Sequence, residues 1–349
     1  MSTARESAKK IISENISGRK LVFIESFLKL EEYLEENNIH VDIHVTLDKD
    51  KINNDFYSDI SSLKDNKSNY YVFVPFQIDN VLRELLISYG YAPCVDFASM
   101  EPMHKKVTGP IKNYCDGFNN RCNFIPEKVT LVFAGTNCSI HFSEDVIINS
   151  KLEMTLYDDV KFSIGEKSKI EGVISLNNKT VFKIEEKTSC KFLSIRTAGD
   201  NCQIYIGEKT TFTSSFTLIL INGCVKIGKD CMIAAQNLFY VGDGHGVFDV
   251  NTMERVNNSH EKNQIVLGDH VWVGTKSIIL SKTVIESGSI VGAGSVVKGH
   301  FPNNCVIAGN TAAVKKVDTA WCRDQDGVIT DEERNYFKKT VPLEGRKDK

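Results

Sequence analysis

The feature that most constrains this sequence is a short phrase that returns at nearly regular intervals, mostly 18 to 22 residues apart. In each copy, an aliphatic residue is followed by a glycine or an acidic residue and then by polar residues. The aliphatic residues that open the clearest copies are Ile164, Ile184, Ile206, Ile227, Leu267 and Ile285. Self-similarity of this length predicts a solenoid, in which each repeat buries its apolar residues against its neighbours.

The spacing also indicates which kind of solenoid to expect. The 18 residues from Leu267 to Ile285 equal three hexapeptides, one for each side of a triangular prism. One aliphatic side chain per hexapeptide would stack on its equivalent in the next coil, and the small residue beside it would allow a tight corner. The gap of 40 residues between Ile227 and Leu267 predicts one coil with an inserted loop of about 22 residues, over about 237–264. Long loops on rigid scaffolds commonly carry function.

The first 125 residues follow a different pattern. Strands are predicted over Leu21–Ile24, Val41–Leu47 and Tyr70–Pro75, and helices are predicted over Phe27–Glu36 and Asp79–Gly90. This alternation predicts a small α/β domain over residues 1–125. No glycine-rich turn follows the first strand, so a Rossmann-type dinucleotide site is not expected. Residues 100–136 are interpreted as a connector.

The coils are expected to fill residues 126–316, and residues 317–349 are expected to form a tail. Thr330 and Glu333 have the spacing of a capping box, which predicts a short helix through about Lys339. Asp324 and Asp326 only faintly resemble a calcium loop, because the other ligands of such a loop are missing. They are predicted to lie in a solvated turn.

Composition argues against several classes of protein. The net charge of −3 disfavours a general nucleic-acid binder. No apolar run approaches the ~20 residues of a transmembrane helix, and the polar start does not resemble a secretory signal. The ten cysteines include no Cys-x-x-Cys pair and are expected to be reduced thiols. We therefore expect a cytoplasmic protein with no transmembrane segment and no metal site.

Two segments resemble a known family. Residues 265–310 are similar to the C-terminal coils of hexapeptide-repeat acyltransferases, and Gly-Asp-Gly-His-Gly-Val-Phe-Asp at 242–249 resembles the catalytic loop of the branch that acetylates bacterial capsules and other surface sugars. The similarity is specific over about 200–316 and is reduced to the repeat rhythm over 137–200. It implies a left-handed parallel β-helix, acetyl-CoA as co-substrate, a carbohydrate acceptor, and a homotrimer whose active sites are shared between subunits.

His245 is the candidate catalytic residue of the inserted loop. It lies between two glycines, so the backbone can approach a substrate closely, and an imidazole titrates near neutral pH. The resemblance implies that His245 is the general base that takes the proton of the acceptor hydroxyl. Asp243 and Asp249 are the local candidates for orienting the imidazole. A neighbouring subunit or a backbone carbonyl is an equal alternative.

Trp272 is expected to point outward from a coil. An exposed indole covers either a ligand or another subunit, and the resemblance favours acetyl-CoA. The same resemblance implies cofactor contact for Gly274 and for the run Gly292, Ala293, Gly294 and Ser295, whose backbone N–H groups are expected to be exposed. Glycines are also what the corners of a β-helix require.

The sequence departs from the family pattern after Val297 and again after Asn310, where the family usually carries a lysine. The lysine that meets the phosphates of CoA is therefore expected to be Lys298, Lys315 or Lys316. An alternative for each is a solvated surface lysine.

Other functions remain open at this point. The first is N-acetylation of a nucleotide-linked amino sugar, whose enzymes have an N-terminal domain similar in architecture to this one. The second is a non-catalytic scaffold. The third is a nucleotidyltransferase, although this sequence lacks the glycine-rich signature of such enzymes. His260, His270 and His300 do not have the spacing of the zinc enzymes built on the same prism.

Overall fold

The computed structural model describes residues 2–26, 28–48, 52, 57–64, 66–75, 80–92, 97–99, 105–116, 118–257 and 263–343. Contacts between Cα atoms divide the chain into two compact units. The first unit comprises residues 1–107, 111–125 and 132–140, and the second comprises residues 108–110, 126–131 and 141–349. The boundary expected at residue 125 stays a prediction.

The first unit contains a parallel five-stranded sheet with the order β3-β2-β1-β4-β5. Its strands are β1 (Lys20–Ile24), β2 (Ile43–Thr46), β3 (Tyr57–Asp59), β4 (Tyr70–Val74) and β5 (Phe97–Ser99). Its helices are α1 (Ser2–Asn15), α2 (Leu28–Glu35) and α3 (Asn80–Ser88), with a 3₁₀ turn over Ile60–Leu63. Side chains alternate across β1: Leu21 and Phe23 pack with α1 and α2, whereas Val22 and Ile24 pack with α3. The sheet is therefore covered on both faces.

The predicted α/β character of this unit is confirmed, with two differences. Helix α1 was not predicted, and the predicted helix starts at Phe27 and Asp79 lie outside the described residues. The interpretation of residues 100–136 as a connector is wrong, because they contain strands. These strands are β6 (Lys105–Thr108), β7 (Ile111–Cys115), β8 (Arg121–Ile125) and β9 (Val129–Phe133). Their buried residues follow no regular alternation over these four or five positions, so the sequence carries no clear strand signal here.

One cysteine departs from the expectation of reduced thiols. Cys115 is disulfide-bonded. Eight cysteines, from Cys122 to Cys322, are free thiols, and six of the eight are buried. Burial raises the pKa of Cys122, Cys190 and Cys231 to about 12, so these three behave as small apolar core residues.

The second unit is a left-handed parallel β-helix, as predicted. The remaining strands are β10 (Ser139–Phe142), β11 (Leu152–Leu156), β12 (Lys161–Ile164), β13 (Lys169–Leu176), β14 (Val181–Ile184), β15 (Ser189–Ala198), β16 (Gln203–Ile206), β17 (Thr211–Phe212), β18 (Phe216–Ile221), β19 (Cys224–Ile227), β20 (Met232–Ile233), β21 (Leu238–Val241), β22 (Gln264–Leu267), β23 (Trp272–Val273), β24 (Ile278–Leu280), β25 (Thr283–Ile285), β26 (Ile290–Val291), β27 (Val296–Val297), β28 (His300–Phe301), β29 (Val306–Gly309) and β30 (Ala312–Lys316). None of the described helices is long and apolar enough to cross a membrane.

Successive coils place their strands in three ladders, one on each side of the prism. The first ladder runs through β12, β14, β16, β19, β22, β25 and β28, the second through β17, β20, β23, β26 and β29, and the third through β18, β21, β24 and β27. The six aliphatic residues of the sequence repeat lie opposite one another along the first ladder, and each is no more than 1% exposed. The pairing of Ile227 with Leu267 confirms that the gap of 40 residues contains one coil and an inserted loop.

The corner between the first and second ladders repeats through seven coils. One residue at each turn has a positive φ. From the second of these coils onward, the N–H of this residue donates to a carbonyl of the preceding coil. We name this set the corner column: Lys167, Lys187, Lys209, Asp230, His270, Gly288 and Asn304. A Cβ on Gly207 would lie 2.6 Å from the backbone of Gly228 in the next coil, which explains the recurring small residue at this corner.

The tail, residues 317–343, forms a strap that packs on the corner column. Within it lies the short helix α4 (Asp331–Arg334). The predicted capping box is confirmed, since Thr330 Oγ1 accepts from the Glu333 N–H and the Glu333 carboxylate accepts from the Thr330 N–H. The helix ends sooner than predicted. Asp324 Oδ1 accepts from two backbone N–H groups, as expected of a turn.

Replacing Thr330 by alanine should lower the free energy of unfolding by about 1 kcal/mol, because the Glu333 N–H loses the hydroxyl oxygen that accepts from it. Denaturant titration of the two proteins measures the difference. Thr330→Ser keeps the hydroxyl and should unfold like the wild type. Equal midpoints for Thr330→Ala and wild type would contradict the prediction.

Candidate active site

The inserted loop leaves the prism at the corner between the third and first ladders. Strand β21 ends at Val241 and β22 begins at Gln264, so the predicted range of about 237–264 began a few residues too early. Within the loop, Phe248 bridges to Arg255 in antiparallel fashion, and the Val256 N–H donates to the carbonyl of Val247 at 2.8 Å. The loop is therefore a hairpin-like extension. Residues 258–262, with His260, lie outside the described residues.

Asn257 joins the two sides of this loop. Its Oδ1 accepts from the Val247 N–H at 2.9 Å and from Arg255 Nε at 3.0 Å. Its Nδ2 donates to the carbonyl of His245 at 2.7 Å and to the Asp243 carboxylate at 3.2 Å. One amide side chain thus fixes the backbone at His245.

The His245 side chain is exposed, and its imidazole has no hydrogen-bond partner in the part of the chain that the structure describes. Asp243 is bound by Asn257. Asp249 accepts from the N–H groups of Asn251 and Thr252, and these two bonds hold the pKa of its carboxyl below the usual range. Neither predicted aspartate contacts the ring in a single chain, so their orienting role stays a prediction.

The end of the loop exposes large apolar side chains. The residues of this loop tip, each more than half exposed, are Val247, Phe248, Val250, Met253 and Val256. Contiguous exposed apolar groups on a soluble protein mark a surface that contacts something else.

Trp272 lies on the second ladder and points outward, as predicted, while the adjacent Val273 is buried in the core. It stands in register between Met232 and Ile290. In a three-sided prism, the second ladder is opposite the corner that carries the loop. His245 and Trp272 of one chain therefore lie on opposite sides of the prism.

The predicted cofactor-binding glycines share the corner between the second and third ladders. A Cβ on Gly274 would lie 2.6 Å from the backbone nitrogen of Ala293 in the next coil. The N–H groups of Gly292 and Gly294 donate to carbonyls of neighbouring coils at 2.8 and 2.9 Å. Contrary to the expectation, these two N–H groups are therefore not available to a ligand. Ser295 is buried and its hydroxyl donates to the Gly292 carbonyl at 2.6 Å. The surface of this corner is formed by Ala293 and Gly294, which are exposed.

The three candidate lysines are all exposed. Lys298 follows β27, whereas Lys315 and Lys316 lie on β30, which pairs antiparallel with β29. Within the described ranges, none of the three forms an ion pair, in contrast to Lys151, Lys183, Lys187, Lys209 and Lys229. Their charges are available to an anion.

The strap is bound to the corner column through His270, whose side chain is buried. His270 Nδ1 lies 2.7 Å from Asp230 Oδ2, and Nε2 lies 3.0 Å from the carbonyl of Trp321. Both partners are acceptors, so an imidazolium, with both nitrogens protonated, satisfies both contacts. The ring stacks on Trp321 at 4.1 Å and on Tyr336 at 4.6 Å between centroids.

Arg323 is the second anchor of the strap. Its Nε donates to Asp230 Oδ1 at 2.6 Å, and its remaining nitrogens donate to Thr211 and to three backbone carbonyls. Asp230 therefore accepts from both His270 and Arg323. We name these four residues the latch: Asp230, His270, Trp321 and Arg323.

Comparison with known proteins agrees with this architecture. The family described as bacterial transferase hexapeptide (six repeats) matches residues 264–299. The match covers the coils from β22 to β27.

Two named proteins and one crystal structure extend the comparison. The polysialic acid O-acetyltransferase of Escherichia coli O1:K1 is 37% identical over 153 residues, which are 44% of this chain and 48% of that protein. That of Neisseria meningitidis is 28% identical over 149 residues, 42% of this chain and 67% of that protein. A crystal structure of a polysialic acid O-acetyltransferase has a TM-score of 0.50 and 28% identity, and covers 55% of this chain and 90% of the other. The chain spans about half the length of the first of these relatives.

The latch was not predicted from the sequence. The spacing of His270 was relevant only to a zinc site, and the tail predicted no more than a short helix and a solvated turn. The signals that could have found the latch were the second tryptophan, Trp321, in an otherwise polar tail, and Asp230 and His270 at positions that hold lysine in the three preceding coils of the corner column.

Acid should release the strap. Burial would raise the pKa of Asp230, but hydrogen bonds from His270 and Arg323 outweigh it and lower that pKa. Burial would likewise raise the pKa of Glu333, and backbone N–H groups of Arg323 and Thr330 lower it. A carboxyl whose folded pKa is depressed stabilises the fold above its unfolded value and loses that contribution as pH falls through the folded value.

We therefore expect the near-ultraviolet circular dichroism of the strap tryptophan to change as the pH falls below about 4. In Asp230→Asn, part of that acid transition should be missing. A signal that stays flat through the acid range would contradict the assignment of these carboxylates as anchors.

Proposed function

We propose that this protein is an acetyl-CoA-dependent O-acetyltransferase that acts on a hydroxyl group of a bacterial capsular or surface polysaccharide. The observation that carries the proposal is the extruded loop, which presents His245 on a hexapeptide-repeat prism. Its similarity to proteins named polysialic acid O-acetyltransferases supports the acceptor class.

His245 is the proposed general base. A neutral ring nitrogen takes the proton of the acceptor hydroxyl while the hydroxyl oxygen attacks the carbonyl carbon of the thioester. Collapse of the tetrahedral intermediate breaks the carbon–sulfur bond, and CoA leaves as a thiolate that takes up a proton. The products are the acetyl ester and free CoA.

Three features of the prism support acetyl-CoA as the co-substrate. Trp272 offers a flat apolar surface on the second ladder. The corner at Ala293 and Gly294 is exposed and carries no bulky side chain, so an extended ligand can lie against the backbone. Lys298 and the pair on β30 supply cationic charge that no ion pair to another described residue neutralises, which suits the phosphates of CoA.

A second copy of the chain would complete the site. His245 and Trp272 lie on opposite sides of one prism, so they can serve one reaction only when two chains contribute. Outward positions beside the glycine corner are mainly apolar on both adjoining ladders. They are Met232, Trp272, Ile290 and Val306 on the second ladder and Leu238, Ile278 and Val296 on the third. With the loop tip, they supply the contact surface of the proposed homotrimer, which we place in the cytoplasm.

The test is thiol release from acetyl-CoA by the purified protein with different acceptors. Polysialic acid, neutral capsular polysaccharides and a nucleotide-linked amino sugar are supplied separately. Release that requires a polysaccharide, with an acetyl ester found on the polymer by nuclear magnetic resonance, supports the proposal. Release only with the amino sugar nucleotide would assign N-acetylation instead. No release and no binding of CoA would favour a scaffold.

A further inference from the structure

The two tryptophans of the chain contact each other. Trp272 lies on the outer face of the second ladder, and Trp321 lies on the strap. Their ring centroids are 6.0 Å apart with an interplanar angle of 47°. The strap therefore reaches the side chain that the proposed function places against acetyl-CoA.

Trp321 is held in one position by several groups. Its Nε1–H donates to the carbonyl of His270 at 2.9 Å, and its own carbonyl lies 3.0 Å from His270 Nε2. Its ring stacks on the imidazole at an angle of 8°, and the guanidinium carbon of Arg323 is 5.9 Å from its centroid. Only 6% of Trp321 is exposed. Its position is thus set by the latch.

Trp272 is held much less firmly. It stands on a strand of two residues, half-buried, between the corner column and the glycine corner. Among the described residues, its one ring contact is with Trp321, on the side of the corner column. An indole that faces outward can rotate about two torsions unless a neighbour blocks some of its rotamers. The fixed ring of Trp321 is such a neighbour.

We infer that Trp321 is a positioning residue for acetyl-CoA, because it fixes the rotamer in which Trp272 meets the co-substrate. The inference rests on the proposed function, which places Trp272 in the acetyl-CoA site. In this arrangement the strap shapes the binding site without itself contacting the ligand. The latch fixes Trp321 on the corner column, and Trp321 in turn fixes the side chain of Trp272 on the second ladder.

The test compares full-length wild type with Trp321→Ala and Trp321→Phe. Isothermal titration gives the Kd of acetyl-CoA, and steady-state kinetics give KM and kcat. For Trp321→Ala we expect Kd and KM to rise about 2- to 12-fold, the range that one aromatic pair supplies, with kcat at saturation unchanged. Trp321→Phe keeps a ring on His270 but has a shorter reach and no N–H donor, so its Kd should be intermediate.

Tyr336→Ala is the matched control. Tyr336 stacks on His270 at 4.6 Å, as Trp321 does, but in the described part of the chain its ring has no contact with Trp272. The substitution removes one stacking partner of His270 but leaves both hydrogen bonds between His270 and Trp321 in place, so its Kd should stay close to wild type. A rise in Kd equal to that of Trp321→Ala would show that strap loosening alone is responsible and would overturn the positioning role.

The two tryptophans also give a readout that is independent of turnover. Two indoles at 6.0 Å should produce a coupled signal in the circular dichroism spectrum, and Trp321→Phe should remove it. If the wild type binds acetyl-CoA and Trp321→Ala binds it with the same Kd, this inference alone is overturned. Wild type that does not bind acetyl-CoA would overturn the proposed function and this inference with it. If Trp321→Ala fails to fold, an unchanged Kd in Trp321→Phe overturns the inference.

Discussion

His245→Ala should lower kcat for acetyl transfer by about 10²–10⁴-fold, the usual contribution of a general base. Without the imidazole, the acceptor hydroxyl must lose its proton to water as it attacks the thioester. The Kd of acetyl-CoA should stay near the wild-type value, because a base acts on the acceptor in the transition state. Thiol release gives kcat and isothermal titration gives Kd.

The exposed His141 supplies the matched control. It lies on β10, outside the inserted loop, and His141→Ala should leave kcat unchanged. If His245→Ala transfers acetyl groups at the wild-type rate, the assignment of His245 as the base is wrong, but the assignment of the reaction class is unaffected. An equal loss of CoA binding and of rate would instead point to damage of the loop, where Asn257 binds the backbone of His245.

The coils were predictable because their signal is local and repeated. Each aliphatic residue of the repeat is buried against the equivalent residue in the next coil. The spacing of Ile164, Ile184 and Ile206 along the chain therefore predicts which residues pair between coils. The same argument placed the inserted loop, since Ile227 and Leu267 pair despite the 40 residues between them. The strands over residues 105–133 have no such repetition, and their buried residues follow no regular period that the sequence could reveal.

The site could be predicted only in part, for a similar reason. A histidine between glycines in a long insertion is visible in the sequence, and so is a tryptophan on an outward coil position. The partners of these residues are set by folding. Asp249 is close to His245 in sequence but accepts from its own turn, and Asn257, twelve residues away, holds the His245 carbonyl. The latch joins residues 93 positions apart, Asp230 and Arg323, which no local pattern relates.

Asp230→Ala should weaken docking of the strap by about 3 kcal/mol, the lower end of the cost of leaving a buried ion pair without one partner. Asp230 accepts from His270 at 2.7 Å and from Arg323 at 2.6 Å, and its side chain is 10% exposed. Removing the carboxylate leaves two donors beside a buried aromatic stack without their acceptor. The lower end applies because the Arg323 side chain is 30% exposed and can be partly rehydrated.

Hydrogen exchange of the strap amides measures this loss, since release of the strap exposes them while the coils stay folded. Asp230→Asn keeps the shape and one acceptor oxygen, so its exchange rates should lie between those of wild type and alanine. Asp331→Ala, which removes an exposed ion pair with Arg334 at 3.7 Å, should change exchange little. Equal protection of the strap in wild type and Asp230→Ala would mean that the aromatic stack alone holds it, and the carboxylate would lose its role as the centre of the latch.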